Sequence, residues 1–165
     1  MWFDFDVEGY AVNDTDANTL RNEALAILQK DYPDLKAVVQ SGNIPAIDIL
    51  ENAIKNNVKI YTVNLMAMDY GVKGDIGSLI QSSVSSAIAN IAALKWTPTS
   101  LKPEVGITPM IIQDDTGGLF NTSDADSLLD FADGNKNINF LSFWYMGKDI
   151  SDNWAFTNIF KTYTP

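Results

Sequence analysis

The sequence predicts an α/β protein in which five strand and helix units follow one another and the strands run parallel. Short apolar or β-branched segments alternate along the chain with longer segments whose apolar residues recur every three or four positions. A strand, a helix and a second strand in succession place the two strands parallel, with a right-handed crossover. The 165 residues contain no linker, low-complexity stretch or repeat, so we predict a single domain covering residues 1–165.

The N-terminal third of the chain contains the first two units. Residues 2–7 alternate aromatic or aliphatic side chains with acids and predict the first strand. Residues 14–31 carry apolar side chains at helical spacing and predict the first helix. Residues 35–40 predict the second strand, and a turn-rich connector, residues 41–45, leads into a helix that carries Ala46.

The remaining three units continue the alternation. Residues 58–68 are continuously apolar and β-branched, which is typical of a parallel strand covered on both faces. Residues 105–113 predict the next strand, in which Pro109 has no N–H for a sheet ladder and therefore implies a bulge or interruption. The other predicted elements are a strand at residues 138–146 and helices at residues 76–95, 122–133 and 154–161.

The composition excludes several classes of function. With 21 acidic and 11 basic residues the net charge is −10, which repels nucleic acid and anionic membranes. No apolar run approaches the roughly 20 residues that span a bilayer, and the N-terminus predicts a strand rather than a signal peptide. The sequence has no cysteine and no histidine, so disulfides, thiolate or Ser-His catalysis and most zinc sites are excluded. Acid-base chemistry is left to carboxylates or tyrosine.

The number of units leaves the shape of the sheet open. A unit averages about 30 residues, and a complete barrel of eight such units runs to about 250 residues. Five units either pack as an open sheet, associate with another copy, or form part of a larger barrel. Exposed strand edges invite pairing with another chain, so we predict self-association if the sheet stays open.

The first strand carries a line of three acids. Asp4, Asp6 and Glu8 are two residues apart and therefore share one face of the strand, which we expect to be buried. Neighbouring like charge and burial both raise the pKa of at least one carboxyl in such a cluster. A carboxyl that holds its proton is suited to general acid catalysis. The alternatives are an exposed strand with solvated acids, or a Mg²⁺ or Ca²⁺ site.

The segment FDFDVEG resembles the second half of the signature of family 18 glycoside hydrolases, the chitinase type, whose acids are spaced D-x-x-D-x-D-x-E. Asp4, Asp6 and Glu8 match the last three acids, and the position of the first is Met1. The resemblance implies the C-terminal part of a TIM barrel, from its fourth strand to its eighth helix, as in bacterial members. Three later segments are similar to the sixth, seventh and eighth strands of that barrel: VNLMAMDYG (63–71), VGITPMIIQDD (105–115) and LSFWYMGKD (141–149).

The resemblance implies a role for each acid. Glu8 is the general acid that protonates the glycosidic oxygen, and the nucleophile is the 2-acetamido carbonyl of the substrate itself. Asp6 holds the acetamide N–H, and Asp4 shares its proton. Neither a cofactor nor a metal is implied.

The later segments supply the predicted substrate contacts. Asp69, which follows Met66, matches an acid that orients the acetamide, and the hydroxyl of Tyr70 is a further candidate. Trp144 matches a tryptophan whose indole stacks on a sugar ring, with core packing as the alternative. Gln113 ends its predicted strand, where barrel enzymes build their sites, although it is equally suited to capping a loop.

The function that the resemblance implies is hydrolysis of β-1,4-linked N-acetylglucosamine polymers, chitin or chito-oligosaccharides, in an extracellular setting. One alternative is a protein of the same family that binds such oligosaccharides with little or no turnover. Another is an acidic α/β domain that binds a divalent cation at the three acids.

Overall fold

The computed structural model describes residues 1–42 and 47–165. Its strands are β1 (Trp2–Asp6), β2 (Lys36–Ser41), β3 (Ile60–Ala67), β4 (Gly74–Asp75), β5 (Glu104–Pro109), β6 (Ile112–Gln113), β7 (Gly118–Phe120) and β8 (Ile138–Leu141). Its helices are α1 (Tyr10–Asn13), α2 (Thr15–Asp31), α3 (Ile47–Lys55), α4 (Gly77–Ala93), α5 (Thr122–Asp133), α6 (Met146–Ser151) and α7 (Ala155–Phe160). Residues 43–45 of the predicted connector, and Ala46, lie outside the described residues.

Five strands form one parallel sheet in the order β1-β2-β3-β5-β8, which confirms the predicted α/β class and its five strand and helix units. The order follows the chain, as expected when each helix returns the backbone to the next position along the sheet. In the described part of the chain β1 and β8 are the two edges of this sheet.

One face of the main sheet is covered by helices and forms the hydrophobic core. Alternate residues of the strands, such as Val63 and Leu65 of β3, point to this face and are about 1% exposed. They pack with apolar residues of the helices, such as Leu25 of α2 and Ile80 of α4. Within residues 1–42 and 47–165 no helix covers the opposite face of the main sheet, which we call the open face.

Helix α5 shows how local sequence fixes the position of an element. The side chain of Asn121 accepts hydrogen bonds from the backbone N–H groups of Ser123 and Asp124 at 2.9 and 3.3 Å. Asp124 in turn accepts the backbone N–H of Asn121 at 2.7 Å, which completes a capping box. The helix therefore begins at Thr122, and its cap is Asn121 rather than Thr122 or Ser123, which the sequence favoured as caps.

Two predicted strands are shorter than the sequence pattern indicated. The predicted strand 105–113 is interrupted after Pro109, as that proline implied, and Ile112, whose φ of 68° is positive, begins the separate strand β6. The predicted strand 138–146 ends at Leu141, and residues from Met146 onward are helical in α6.

A small second sheet lies beyond the ends of β3 and β5 and was not predicted. Strand β7 pairs with β4 in parallel and with β6 in antiparallel orientation. Its strands are two or three residues long, which is below the length at which a sequence pattern is visible. No helix in the described ranges is long and apolar enough to cross a membrane.

Candidate active site

The three acids of the opening segment lie along β1 and just beyond it. In the register of β1 with β2, Asp4 is opposite Val38 and Asp6 is opposite Gln40. The side chain of Gln40 donates a hydrogen bond to Asp4 Oδ2 at 3.0 Å. Glu8 follows the strand, and its carbonyl accepts the backbone N–H of Ala11 at 3.1 Å as the chain enters α1. The acids are therefore placed from the middle of β1 to its carboxyl end.

The acidic face of β1 is exposed, so the prediction that it is buried is wrong. Asp4, Asp6 and Glu8 are exposed, whereas the intervening Phe3 and Phe5 are half-buried and Val7 is buried. The reason is the edge position of β1, which has only β2 as a strand neighbour among the described residues. The apolar side chains of β1 face the helices, and the acids face the open side of the sheet.

The pKa of Asp4 is nevertheless shifted in the predicted direction. Partial burial raises the pKa of the Asp4 carboxyl, the hydrogen bond from Gln40 lowers it, and the neighbouring charge of Asp6 raises it again. The net effect is a pKa above the ordinary value of 3.8. Asp4 therefore keeps its proton to a higher pH than an isolated aspartate.

A row of polar side chains crosses the sheet from β3 to the segment that follows β8. The hydroxyl of Thr62 donates to Asn139 Oδ1 at 3.0 Å, and the hydroxyl of Thr108 donates to Asn64 Oδ1 at 2.9 Å. Thr108 and Ser142 are in hydroxyl contact at 2.5 Å. This row was not predicted, although Thr62 and Asn64 are polar residues at alternating positions in an otherwise apolar strand.

Asp69 lies just past the end of β3 and is tied to the small sheet. Its φ of 57° is left-handed, a conformation that aspartate tolerates better than most residues. Its Oδ1 accepts the backbone N–H of Asp115 at 2.9 Å, and its own N–H donates to Asp114 Oδ2 at 2.9 Å. Met66, the other predicted contact of this segment, is half-buried and pairs in register with Thr108.

Tyr70 is partly buried beside α4. Its ring packs against the hydrophobic core, and its hydroxyl lies near Ser83 of α4. Burial raises the pKa of this hydroxyl, and the charge of Asp114 raises it further against the opposing effect of Ser83. The geometry therefore gives Tyr70 a packing contact with α4.

Trp144 lies at the other edge of the main sheet from the acids. Its backbone N–H donates to the carbonyl of Pro109 at 2.8 Å, and its carbonyl accepts the N–H of Ile111 at 2.9 Å. The peptide bond to Tyr145 is cis. The side chain is 56% exposed, which excludes plain core packing and leaves an indole face available for stacking.

Gln113 belongs to the small sheet rather than to the main one. It lies in β6, where its backbone N–H donates to the carbonyl of Ile111 at 2.9 Å and its carbonyl accepts the ammonium group of Lys148. Its side chain is exposed. No group of three or more His, Cys, Asp or Glu side chains within residues 1–42 and 47–165 is arranged to hold a metal ion.

This fold is that of chitinase catalytic domains. The chain superposes over 99% of its length on the catalytic domain of a hyperthermophilic chitinase from Pyrococcus furiosus, with a TM-score of 0.67 and 23% identity. It also superposes on a catalytic-site mutant of a thermostable chitinase domain from the same organism complexed with chito-oligosaccharides, with a TM-score of 0.70 and 24% identity. The chain covers 62% of each of these solved chains.

The sequence comparison identifies a relative of the same kind. The chain is 27% identical over 175 aligned positions to a probable bifunctional chitinase/lysozyme of Escherichia coli K12. The match covers 89% of this chain and 19% of the length of that relative. No family profile matches the chain. The comparisons confirm the predicted resemblance to chitinase-type glycoside hydrolases and the predicted α/β fold.

Proposed function

We propose that this chain carries the catalytic acids of a family 18 glycoside hydrolase, on strands of a TIM barrel, that cleaves β-1,4-linked N-acetylglucosamine polymers. One observation carries the proposal. Asp4 and Asp6 on edge strand β1 and Glu8 just after it are exposed carboxylates of a parallel sheet whose fold is shared with chitinase catalytic domains. Chitin and chito-oligosaccharides are the substrates that this likeness favours.

The proposed reaction begins with a proton transfer from Glu8. Glu8 protonates the glycosidic oxygen while the 2-acetamido carbonyl oxygen attacks the anomeric carbon, so that the glycosidic bond breaks and an oxazolinium ion forms. Water then attacks the anomeric carbon from the face opposite the acetamido oxygen, which breaks the bond between that oxygen and the anomeric carbon and restores the acetamide. The Glu8 carboxylate takes the proton that the water releases. The product is a reducing sugar with retained configuration.

The neighbouring acids support the charge that develops on the acetamide. Asp6 accepts a hydrogen bond from the acetamide N–H and stabilises the positive charge of the oxazolinium ion. Asp4 lies two residues away with a raised pKa, which is suited to sharing a proton with Asp6. The hydrogen bond from Gln40 keeps the Asp4 carboxyl in place on the sheet.

Substrate binding is assigned to residues at the carboxyl ends of the other strands. Trp144 presents an exposed indole for stacking on a sugar ring, and Asp69 orients the acetamide group. Met66 supplies an apolar contact on the open face. The polar row around Thr108 fills the sheet surface between these residues and β1.

Turnover of a fluorogenic chito-oligosaccharide by the purified chain tests the proposal. We expect hydrolysis by the unaltered chain, and a loss of about 100-fold or more in kcat for Glu8→Gln, because one proton donor contributes about that factor. Glu51→Gln, at an exposed site on α3, is the matched control and is expected to leave kcat unchanged. Equal turnover by the Glu8 variant and the unaltered chain would refute the assignment of Glu8.

Oligosaccharide binding without turnover is a second candidate function. The exposure of Asp4, Asp6 and Glu8 to water favours it, because an active site that excludes water strengthens electrostatic interactions with the transition state. Binding of chitotetraose that depends on Trp144 but is unaffected by Glu8→Gln, with no detectable hydrolysis, would establish this function instead.

We also propose that the open sheet edges allow self-association. Strands β1 and β8 present unpaired backbone groups at the two edges of the main sheet in the described part of the chain. Light scattering across a range of protein concentrations tests this, and a constant monomer mass at high concentration would contradict it.

A further inference from the structure

We propose that Asp114 is a positioning residue that fixes the orientation of Asp69, the acid that the proposed function assigns to the substrate acetamide. This inference deepens the proposed function and rests on its assignment of Asp69. It starts from Asp114 itself, a buried carboxylate in the turn between β6 and β7 for which sequence analysis offered no role.

The carboxylate of Asp114 organises the whole turn. Its Oδ1 accepts the backbone N–H groups of Gly118 at 2.7 Å and Thr116 at 2.9 Å, and the hydroxyl of Thr116 at 3.0 Å. Its Oδ2 accepts the backbone N–H of Asp69 at 2.9 Å. Oδ1 of this buried carboxylate thus stabilises its own turn, and Oδ2 binds the segment that follows β3.

A second hydrogen bond joins the same two segments, with Asp69 as the acceptor. The backbone N–H of Asp115 donates to Asp69 Oδ1 at 2.9 Å. The backbone of Asp69 is therefore hydrogen-bonded to Asp114, and its side chain is hydrogen-bonded to Asp115. This pair of bonds sets both the left-handed backbone of Asp69 and the direction of its carboxylate.

The close packing around Asp114 leaves it little freedom to move. A Cβ placed on Gly118 would lie 2.5 Å from Asp114 Oδ2, so only glycine allows the backbone to approach the carboxylate this closely. Burial alone would raise the pKa of Asp114, but the hydrogen bonds it accepts outweigh that effect and lower it below the ordinary value of 3.8. Asp114 is therefore ionised near neutral pH and accepts all four bonds.

The hydroxyl of Thr116 extends the same connection by one more bond. It donates to Asp114 and also accepts the backbone N–H of Gly71 at 3.2 Å. Asp69 and Gly71, the residues on either side of Tyr70, are therefore both hydrogen-bonded to this turn. An isosteric change at Thr116 removes part of the connection while leaving the Asp114 charge in place.

The test compares Asp114→Asn with Asp149→Asn. Asp149 is the matched control, because it is also buried and its carboxylate accepts backbone N–H groups, from Phe156 at 2.9 Å and Thr157 at 3.2 Å, with no hydrogen bond to Asp69. We expect Asp114→Asn to lower kcat/KM for chitotetraose about tenfold or more, since small misplacements of a substrate-positioning group reduce rate steeply. Asp149→Asn should leave kcat/KM unchanged at a temperature where both variants are folded.

A double-mutant cycle distinguishes positioning from a general structural effect. If Asp114 acts through Asp69, the Asp69→Asn, Asp114→Asn double variant is no slower than Asp69→Asn alone. Fully additive losses would overturn the proposal. If Asp114→Asn does not fold, Thr116→Val is tested in its place. We expect Thr116→Val to lower kcat/KM by a smaller factor, and to have no effect on kcat/KM when Asp69→Asn is already present.

An NMR readout separates this proposal from the proposed function. The backbone amides of Asp69 and Asp115 should lose hydrogen-exchange protection in Asp114→Asn and keep it in Asp149→Asn. If the unaltered chain neither cleaves nor binds chitotetraose, the proposed function fails, while the exchange of these two amides still decides the positioning role. Unchanged protection of both amides in Asp114→Asn would overturn it.

Discussion

The pKa values of two aspartates, Asp4 and Asp114, are shifted in opposite directions by their surroundings. Asp4 sits beside another acid with one hydrogen-bond donor, and its pKa is raised. Asp114 accepts four hydrogen bonds, and its pKa is lowered in spite of its burial. The acid row was visible in the sequence because three acids share one strand face. The role of Asp114 was not, since its donors come from a turn and from the end of a distant strand.

The raised pKa of Asp4 predicts that Asp4→Asn increases the free energy of unfolding in a pH-dependent way. A raised folded pKa means that ionisation of Asp4 is harder in the folded state, so its contribution to stability is lost as the pH rises through that pKa. At pH 7 we expect Asp4→Asn to raise the free energy of unfolding by less than about 1 kcal/mol, the scale of solvent-exposed charges. Asparagine keeps an oxygen for the hydrogen bond from Gln40.

Urea unfolding at pH 7 and at pH 3 measures this effect. Below 3.8 Asp4 is protonated in both states, so the gain from Asp4→Asn should disappear at pH 3. Asp34→Asn, in an exposed turn, is the control for a change in net charge alone. A gain of the same size at both pH values would show that ionisation of Asp4 is not its cause.

At the level of elements, the main strands and long helices followed from periodicity, and the short elements did not. Helix α5 was predicted from its apolar spacing, but its N-cap is Asn121 rather than the predicted Thr122 or Ser123. Strand β8 ends at Leu141, although the chain stays beside β5: the backbone N–H groups of Ser142 and Trp144 donate to Ile107 and Pro109, and Trp144 forms an isolated parallel bridge with Met110. An apolar run that continues through a strand end carries no signal for that end.

Ile112 predicts a stabilising substitution. Its φ of 68° lies in the left-handed region, which costs an ordinary residue about 1–2 kcal/mol and is least favourable for a β-branched one. Its side chain is 41% exposed, so little packing is lost on removing it. We expect Ile112→Gly to raise the melting temperature, with a gain in stability of about 0.5–1 kcal/mol after the entropic disadvantage of glycine.

Leu119 provides the matched control for Ile112. It is 42% exposed in the neighbouring strand β7 and is not among the residues of positive φ. Leu119→Gly should therefore lower the melting temperature. Destabilisation by both substitutions would show that the side chain of Ile112, rather than its backbone conformation, determines its contribution.

The capping box of α5 predicts that substitution of Asn121 lowers the stability of the protein. Asn121→Ala removes the acceptor of two backbone N–H groups and should lower the free energy of unfolding by about 1 kcal/mol. Ser127→Ala, at an exposed position of the same helix, removes only a bond to the carbonyl of Ser123 and should be neutral or slightly stabilising. Thermal unfolding by circular dichroism compares the two, and equal losses would exclude a specific capping effect.

For the whole molecule, the parallel order of the strands could be predicted because alternating strands and helices leave few arrangements of a sheet. The exposure of the acids could not, since it depends on the neighbours of β1 rather than on β1 itself. Asp69 follows the main-sheet strand β3 as expected, whereas Gln113 was expected at the end of a main-sheet strand and lies elsewhere. The small sheet instead contains Gln113 and binds Asp69 through the turn that follows β6.

The position of Asp4 and Asp6 on an edge strand also has a consequence for aggregation. If the β1 edges of two molecules paired, their acids would lie side by side on one face, and like charges opposite each other destabilise such a pairing. The acids proposed for catalysis thus also oppose pairing of two β1 edges, so the self-association proposed for the open sheet is expected through β8. Asp4→Asn combined with Asp6→Asn should increase light scattering at low salt more than Asp31→Asn combined with Asp34→Asn, which changes the net charge by the same amount. Equal scattering by the two double variants would assign the effect to net charge alone.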